Sequence, residues 1–166
     1  MKCGRVDRMD FADLPIADSI TDLDVGDKRH LLHDLAYRAS KTVSIDGDTI
    51  FHALLKREAL GSTGVGDGVA IPHARMQVKQ PYGMIARLKH PIEFNAIDGE
   101  PVDLVCLLLL PEANAPGQLD AMAAVARRLR DPNVRRELRN APNRVILYNV
   151  LTARTIKTDR KSSAEG

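Results

Sequence analysis

The chain has 166 residues and 44% hydrophobic content, enough to build one domain around a single sizeable core without metal or disulfide support. Its 24 basic and 22 acidic residues nearly cancel, leaving +2, so no global field for nucleic acid is implied. Two cysteines, Cys3 and Cys106, exclude a disulfide framework and a cysteine metal site, while the charges within Met1–Asp10 and the lack of any long apolar run exclude a secretory signal and a membrane span.

A cytoplasmic protein without membrane insertion is therefore expected, with residues 1–14 as an N-terminal extension. Leu31, Leu32, Leu35, Ala36 and Ala39 repeat on one face of a helix that starts near Gly26 or Asp27. Ile50, Phe51, Leu54 and Leu55 have the same spacing, with Asp46 or Asp48 as cap and Gly61 as stop. Met84, Ala86 and Leu88 alternate with Ile85, Arg87 and Lys89, which predicts a strand with one wetter face, near an edge of the sheet. Leu104 to Leu110 is apolar throughout, as a central strand covered on both faces requires. Asp98-Gly99 between them carries hairpin chemistry, so the two strands are expected to be antiparallel neighbours. Leu119, Met122, Ala126 and Leu129 then mark a helix, and Asp131-Pro132 opens another. Ile146, Leu147, Val150 and Leu151 form a last helical stripe, and residues 155–166 form a polar tail expected to be disordered. The arginine run Arg127, Arg128, Arg130, Arg135, Arg136 and Arg139 has helical spacing and no aromatic neighbours, and reads as a solvated helix face. The fold class is α/β: one domain, with a mixed sheet sandwiched between helices.

The chemistry concentrates between Gly61 and His73, where Gly61, Gly64, Gly66 and Gly68 precede Pro72-His73. Glycines let backbone N–H groups converge on an anion, proline stiffens the segment presenting the histidine, and a neutral imidazole there suits phosphoryl exchange. The alternative is that the glycines form tight turns and His73 is an ordinary, partly buried imidazole. Nucleotide readings fail: Asp67 stands where a P-loop needs lysine, and the segment follows a helical pattern instead of a strand, with no third glycine in step for a dinucleotide fingerprint. His30, His33, His52 and His90 lack partners at metal-ligand spacing and read as surface residues.

Arg57-Glu58, Gly61-Ser62-Thr63-Gly64, Gly68-Val69-Ala70-Ile71-Pro72-His73 and Asp98-Gly99-Glu100-Pro101-Val102-Asp103-Leu104 together resemble the fructose/mannitol-type (type 2) EIIA domain of the bacterial phosphotransferase system (PTS), and most closely its nitrogen-regulatory branch. The likeness would place an EIIA type-2 domain over residues 15–154. It implies that His73 accepts a phosphoryl group from an HPr- or NPr-like histidine phosphocarrier and that Arg57 binds the phosphoryl oxygens, although Arg57 also suits a charge at a helix C-terminus. Arg75 is a further phosphate contact or a surface charge. The glycines Gly64, Gly66 and Gly68 would form the phosphoryl-binding loop, and Ser62 and Thr63 either bond phosphate or close local turns. The donor is a phosphoimidazole, so no cofactor or metal is implied. Gln118 stands where the family has a second histidine: it keeps an amide donor but can neither carry charge nor shuttle a proton. Asp120 nearby reads as helix stabilisation or as a charge opposing phosphate. The expected function is phosphorylation-dependent regulation of proteins in nitrogen, potassium or carbon physiology. The alternatives are a contact-only regulatory module with weakened or lost transfer, and the IIA component of a sugar system.

Overall fold

The computed structural model describes residues 16–113 and 118–152, so the N-terminal extension and the C-terminal tail lie outside the described residues. Strand β1 (Ile16–Leu23) leads into helices α1 (Lys28–Val43) and α2 (Gly47–Ala59). The short strands β2 (Gly64–Gly66), β3 (Val69–Ala70) and β4 (His73–Met76) precede the long strands β5 (Tyr82–Ile92) and β6 (Val102–Pro111). Three helices close the described fold: α3 (Gln118–Arg130), α4 (Pro132–Asn140) and α5 (Arg144–Thr152). Asp27, Asp46 and Asp131 cap α1, α2 and α4 with side-chain oxygens that accept backbone N–H groups of the first turn, the reason those helices begin where they do.

The sheet runs in the order β1-β5-β6-β3-β2, and β4 also pairs with β6. Strands β5 and β6 are antiparallel neighbours as expected, while β1 lies parallel to β5, and β3 and β4 lie parallel to β6. One layer, α1 and α2, covers Met84, Ala86, Val105, Leu107 and Leu109. The other, α3 to α5, covers Ile85, Leu104, Cys106, Leu108 and Leu110. Each face of β6 is therefore buried, which explains its unbroken apolar run.

Three expectations need correction. Strand β5 is interior: Met84, Ile85 and Ala86 are all fully buried between β1 and β6, and its wet residues are Lys89, His90 and Pro91 near its far end. The strand at the edge beyond β5 is β1, which has no clear sequence signal because IADSITDL carries polar residues along an exposed edge. The glycine segment is not a loop but a small antiparallel pair, β2 and β3, followed by β4. In α3 the buried stripe is Ala121, Val125 and Leu129, with Met122 and Ala126 at its flank.

Three of the six arginines in the run are structural, while Arg127, Arg130 and Arg136 are exposed as expected of a solvated helix face. Arg128 donates to the Val150 and Leu151 carbonyls at the end of α5, and Arg135 to the Leu129 and Arg130 carbonyls at the end of α3. Arg139 makes a two-pronged ion pair with Asp103, with distances of 2.9 Å to each carboxylate oxygen. These guanidinium groups satisfy helix-end carbonyls or lock elements together.

Candidate functional site

His73 opens β4, immediately after Pro72. Its Nδ1 lies 2.9 Å from the Ile71 carbonyl oxygen, and its Nε2 lies 3.2 Å from Nε of Arg57. A carbonyl can only accept and a guanidinium N–H can only donate, so Nδ1 carries the proton and Nε2 presents its lone pair. Burial holds the imidazole below its usual pKa; the charges of Arg57 and Arg75 push the same way, opposed by the Ile71 hydrogen bond and the Glu58 carboxylate. The ring is thus a neutral, oriented base with one defined nucleophilic nitrogen.

Arg57 reaches it from the last turn of α2, where Ile50, Leu54 and Arg57 lie on one helical face that meets the sheet. Its Nη1 donates to the Gly61 carbonyl at 2.9 Å, which fixes the fork beside the ring. Arg75 lies on the same side of β4 as His73, two positions on, and its charge is felt by the imidazole. Gln118 is the first residue of α3, and its side chain lies outside the described residues.

Other predicted contacts are not brought to the imidazole. Val69 pairs with Leu104 and His73 with Leu108, so the Asp67-Gly68 turn sits on the order of 13 Å or more along the sheet from the histidine. Gly68, at φ +77°, lies against Arg139 and Asp103, and a Cβ there would come within 2.5 Å of Arg139 Nη2. Gly66 packs against Asp98, and Gly64 lies against Ala96, where a Cβ would fall 2.8 Å from Ala96 Cα. Gly64 donates its N–H to Ser62 Oγ. Gly64, Gly66 and Gly68 thus serve close packing and turns, as in the alternative reading of the motif. Ser62 donates to the Phe94 carbonyl at 2.9 Å, and the Thr63 hydroxyl donates to Glu58. Each hydroxyl has one proton, already used locally.

Sequence reasoning assigned no role to Glu58 or Lys28. Glu58 accepts from the Thr63 backbone N–H through both carboxylate oxygens and pairs with Lys28 Nζ at 2.6 Å. A signal was present: Ile50, Leu54, Arg57 and Glu58 fall at i, i+4, i+7 and i+8, so the carboxylate continues the apolar stripe inward. Elsewhere, His30 bonds the capping carboxylate of Asp27, His52 lies 2.7 Å from the Asp48 carbonyl, and His33 stacks on Tyr37. Among the described residues, no group of three or more His, Cys, Asp or Glu side chains is placed to hold a metal ion, and no helix is long and apolar enough to cross a membrane.

The family described as phosphoenolpyruvate-dependent sugar phosphotransferase system, EIIA 2, matches residues 16–153. The chain belongs to the EIIA type-2 family. Among EIIA type-2 relatives, a nitrogen regulatory protein of Bradyrhizobium diazoefficiens is 42% identical over 130 residues, which span 78% of this chain and 85% of that one. The crystal structure of nitrogen regulatory protein IIA-Ntr from Neisseria meningitidis superposes with a TM-score of 0.79 at 34% identity, covering 84% of this chain and 96% of the other. The mannitol IIA of Escherichia coli, in a complex with phosphorylated IIBMtl, shares the fold, with a TM-score of 0.68 at 16% identity over 81% of this chain and 94% of that one. The chain is thus a PTS IIA domain similar to the nitrogen-regulatory proteins.

Proposed function

We propose that this chain is a cytoplasmic regulatory phosphocarrier in which His73 Nε2 accepts a phosphoryl group from an HPr- or NPr-like histidine phosphocarrier. The observation that carries the reading is the paired geometry of the ring: Nδ1 on the Ile71 carbonyl and Nε2 facing Arg57. In the transfer, the donor N–P bond breaks as the Nε2–P bond forms, and the electron pair returns to the donor nitrogen. The proton stays on Nδ1, which keeps donating it to the Ile71 carbonyl. The Arg57 N–H that bonds the lone pair at rest passes to a phosphoryl oxygen once that lone pair is in the new bond, and Arg75 adds positive charge from β4. Adding about −1.5 to −2 charge to this surface then changes which partners can dock, by repulsion and desolvation. The nitrogen-regulatory relatives support a regulatory role in nitrogen physiology, and potassium or carbon physiology is part of the same proposal.

Gln118 favours a second reading, a regulator acting by contact alone, because an amide cannot replace the charge or proton transfer of a histidine. Service in a sugar system would instead require a IIB-like acceptor, such as the partner of the mannitol IIA. Intact-protein mass, measured under mildly basic conditions after incubation with phosphoenolpyruvate, the first enzyme of the relay and its histidine phosphocarrier, separates transfer from contact. The parent protein is expected to gain one phosphoryl group and His73→Ala none, and uptake by His73→Ala would overturn the assignment. No uptake by the parent with an active relay would overturn the phosphocarrier reading and favour the contact-only regulator. Gln118→His is expected to speed transfer or lengthen the life of the phosphoform; unchanged rates would remove position 118 from the site.

A further inference from the structure

Glu58 is a carboxylate in the last turn of a helix, where the macrodipole disfavours it, and its side chain is only 7% exposed. A buried charge persists in such a place only when paired and hydrogen-bonded. Its partners come from separate segments. Lys28, at the start of α1, contributes its ammonium, which also bonds the Phe94 carbonyl at 3.1 Å and lies 4.3 Å from the centre of the Phe94 ring. Thr63, itself 4% exposed, contributes both its backbone N–H and its hydroxyl.

From this junction two short paths lead to the two nitrogens of His73. On one side, the Thr63 carbonyl accepts the Ile71 N–H at 3.0 Å, and the Ile71 carbonyl faces Nδ1. On the other, the turn that Thr63 closes holds Gly61, whose N–H bonds the Glu58 carbonyl at 3.1 Å and whose own carbonyl receives Arg57 Nη1. Arg57 in turn donates to Nε2. We infer that Glu58, acting through Thr63, is a positioning residue that selects the Nδ1–H tautomer of His73 and aims Arg57 at its Nε2. The Lys28 ammonium makes the buried carboxylate tolerable and ties the junction to the Phe94 segment. The effect on transfer rate rests on the phosphocarrier reading; the effect on the ring does not.

The test is a long-range 1H–15N correlation spectrum of the His73 imidazole in the 15N-labelled full chain, recorded for the parent, Glu58→Gln, Thr63→Val and Thr63→Ser. The parent is expected to show one neutral tautomer, protonated at Nδ1. Glu58→Gln and Thr63→Val are expected to show both tautomers in exchange, and Thr63→Ser to restore the parent pattern because it keeps the hydroxyl. Backbone amide spectra of β5 and β6 confirm folding, and Thr63→Val, near in shape to threonine, carries the test if Glu58→Gln fails to fold. A single Nδ1–H tautomer in both folded variants, or in Thr63→Val alone when only that variant folds, would overturn the inference. Where the parent takes up phosphoryl, the rate in Thr63→Val is expected to fall about tenfold or more with the final extent unchanged, and an unchanged rate would count against the inference. If the parent takes up none, the phosphocarrier reading fails, while the tautomer pattern still decides the role of Glu58.

Discussion

At the scale of the residue, burial, a hydrogen bond and neighbouring charges compete over the imidazole of His73. Burial is the largest and lowers its pKa, the Ile71 hydrogen bond opposes this, and the Arg57 charge lowers it further. Replacing Arg57 with glutamine removes a lowering charge, so the pKa of His73 is expected to rise, as read by NMR titration of the ring; an unchanged or lower value would mean that Arg57 does not act on the ring electrostatically. An unfolded histidine binds its proton near pH ~6.5, whereas the folded one binds it only at lower pH. The contribution of neutral His73 is therefore complete above that pH and is lost as pH falls from there through the depressed folded value. Arg57→Gln is expected to narrow that window from below. Of this site, His73 stood out as a candidate from the local Pro-His pattern after glycines, whereas the part of Arg57 came from the family resemblance, since an arginine ending a helical stripe equally suits a helix-end charge. Glu58 was not assigned, since its role depends on Lys28 and Thr63, brought to it from separate segments by folding.

At the scale of the element, the starts of α1, α2 and α4 and the Gly61 stop of α2 were readable, whereas the ends of α3, α4 and α5 were not. An Asp cap acts within its own first turn, as Asp27 does on His30 N and Asp131 on Asn133 N. The ends of α3, α4 and α5 are closed by arginines from outside each helix. Arg87, on β5, donates to the carbonyls of Leu138, Arg139 and Ala141 at the end of α4, at 3.0, 3.2 and 2.6 Å. Arg87→Met, which keeps the aliphatic stem, is expected to cost about 1–3 kcal/mol, since it strips charged donors from partly buried carbonyls. Urea denaturation measures this, with Arg136→Met as the control: Arg136 bonds only exposed Asn133 in its own helix and is expected to change stability by less than about 0.5 kcal/mol. Equal losses for the two would remove Arg87 as a cap. A side chain engaged far along the chain also misplaces the edge. The alternation in β5 that reads as a wet face is produced by Arg87 and Lys89, and Arg87 turns out to be engaged with α4.

At the scale of the molecule, two helical layers enclose one sheet, and β6 lies at its centre with Cys106 fully buried. Burial pushes the Cys106 thiol up to about 12, so almost no thiolate exists near neutral pH. With Cys3 replaced by serine, Cys106 is expected to resist alkylation in the native protein and to react in step with the loss of helical signal as denaturant is raised. Reaction well before that transition would show that the sheet opens locally between the layers.

The sequence by itself determined the local and periodic features: the capped starts of α1, α2 and α4, the all-apolar β6, the antiparallel β5 and β6, and the Pro72-His73 motif with Arg57 upstream. Those follow from interactions within a few residues or from a pattern repeated along one element. Only the tertiary structure decided that the glycines pack against Ala96, Asp98, Asp103 and Arg139 instead of surrounding His73, and that β1 forms the edge beyond β5. It also decided that one buried carboxylate connects to both nitrogens of the imidazole. The reason is physical: a backbone N–H, a guanidinium or a carboxylate can serve many partners, and which one it meets depends on the packing of segments far apart in the chain.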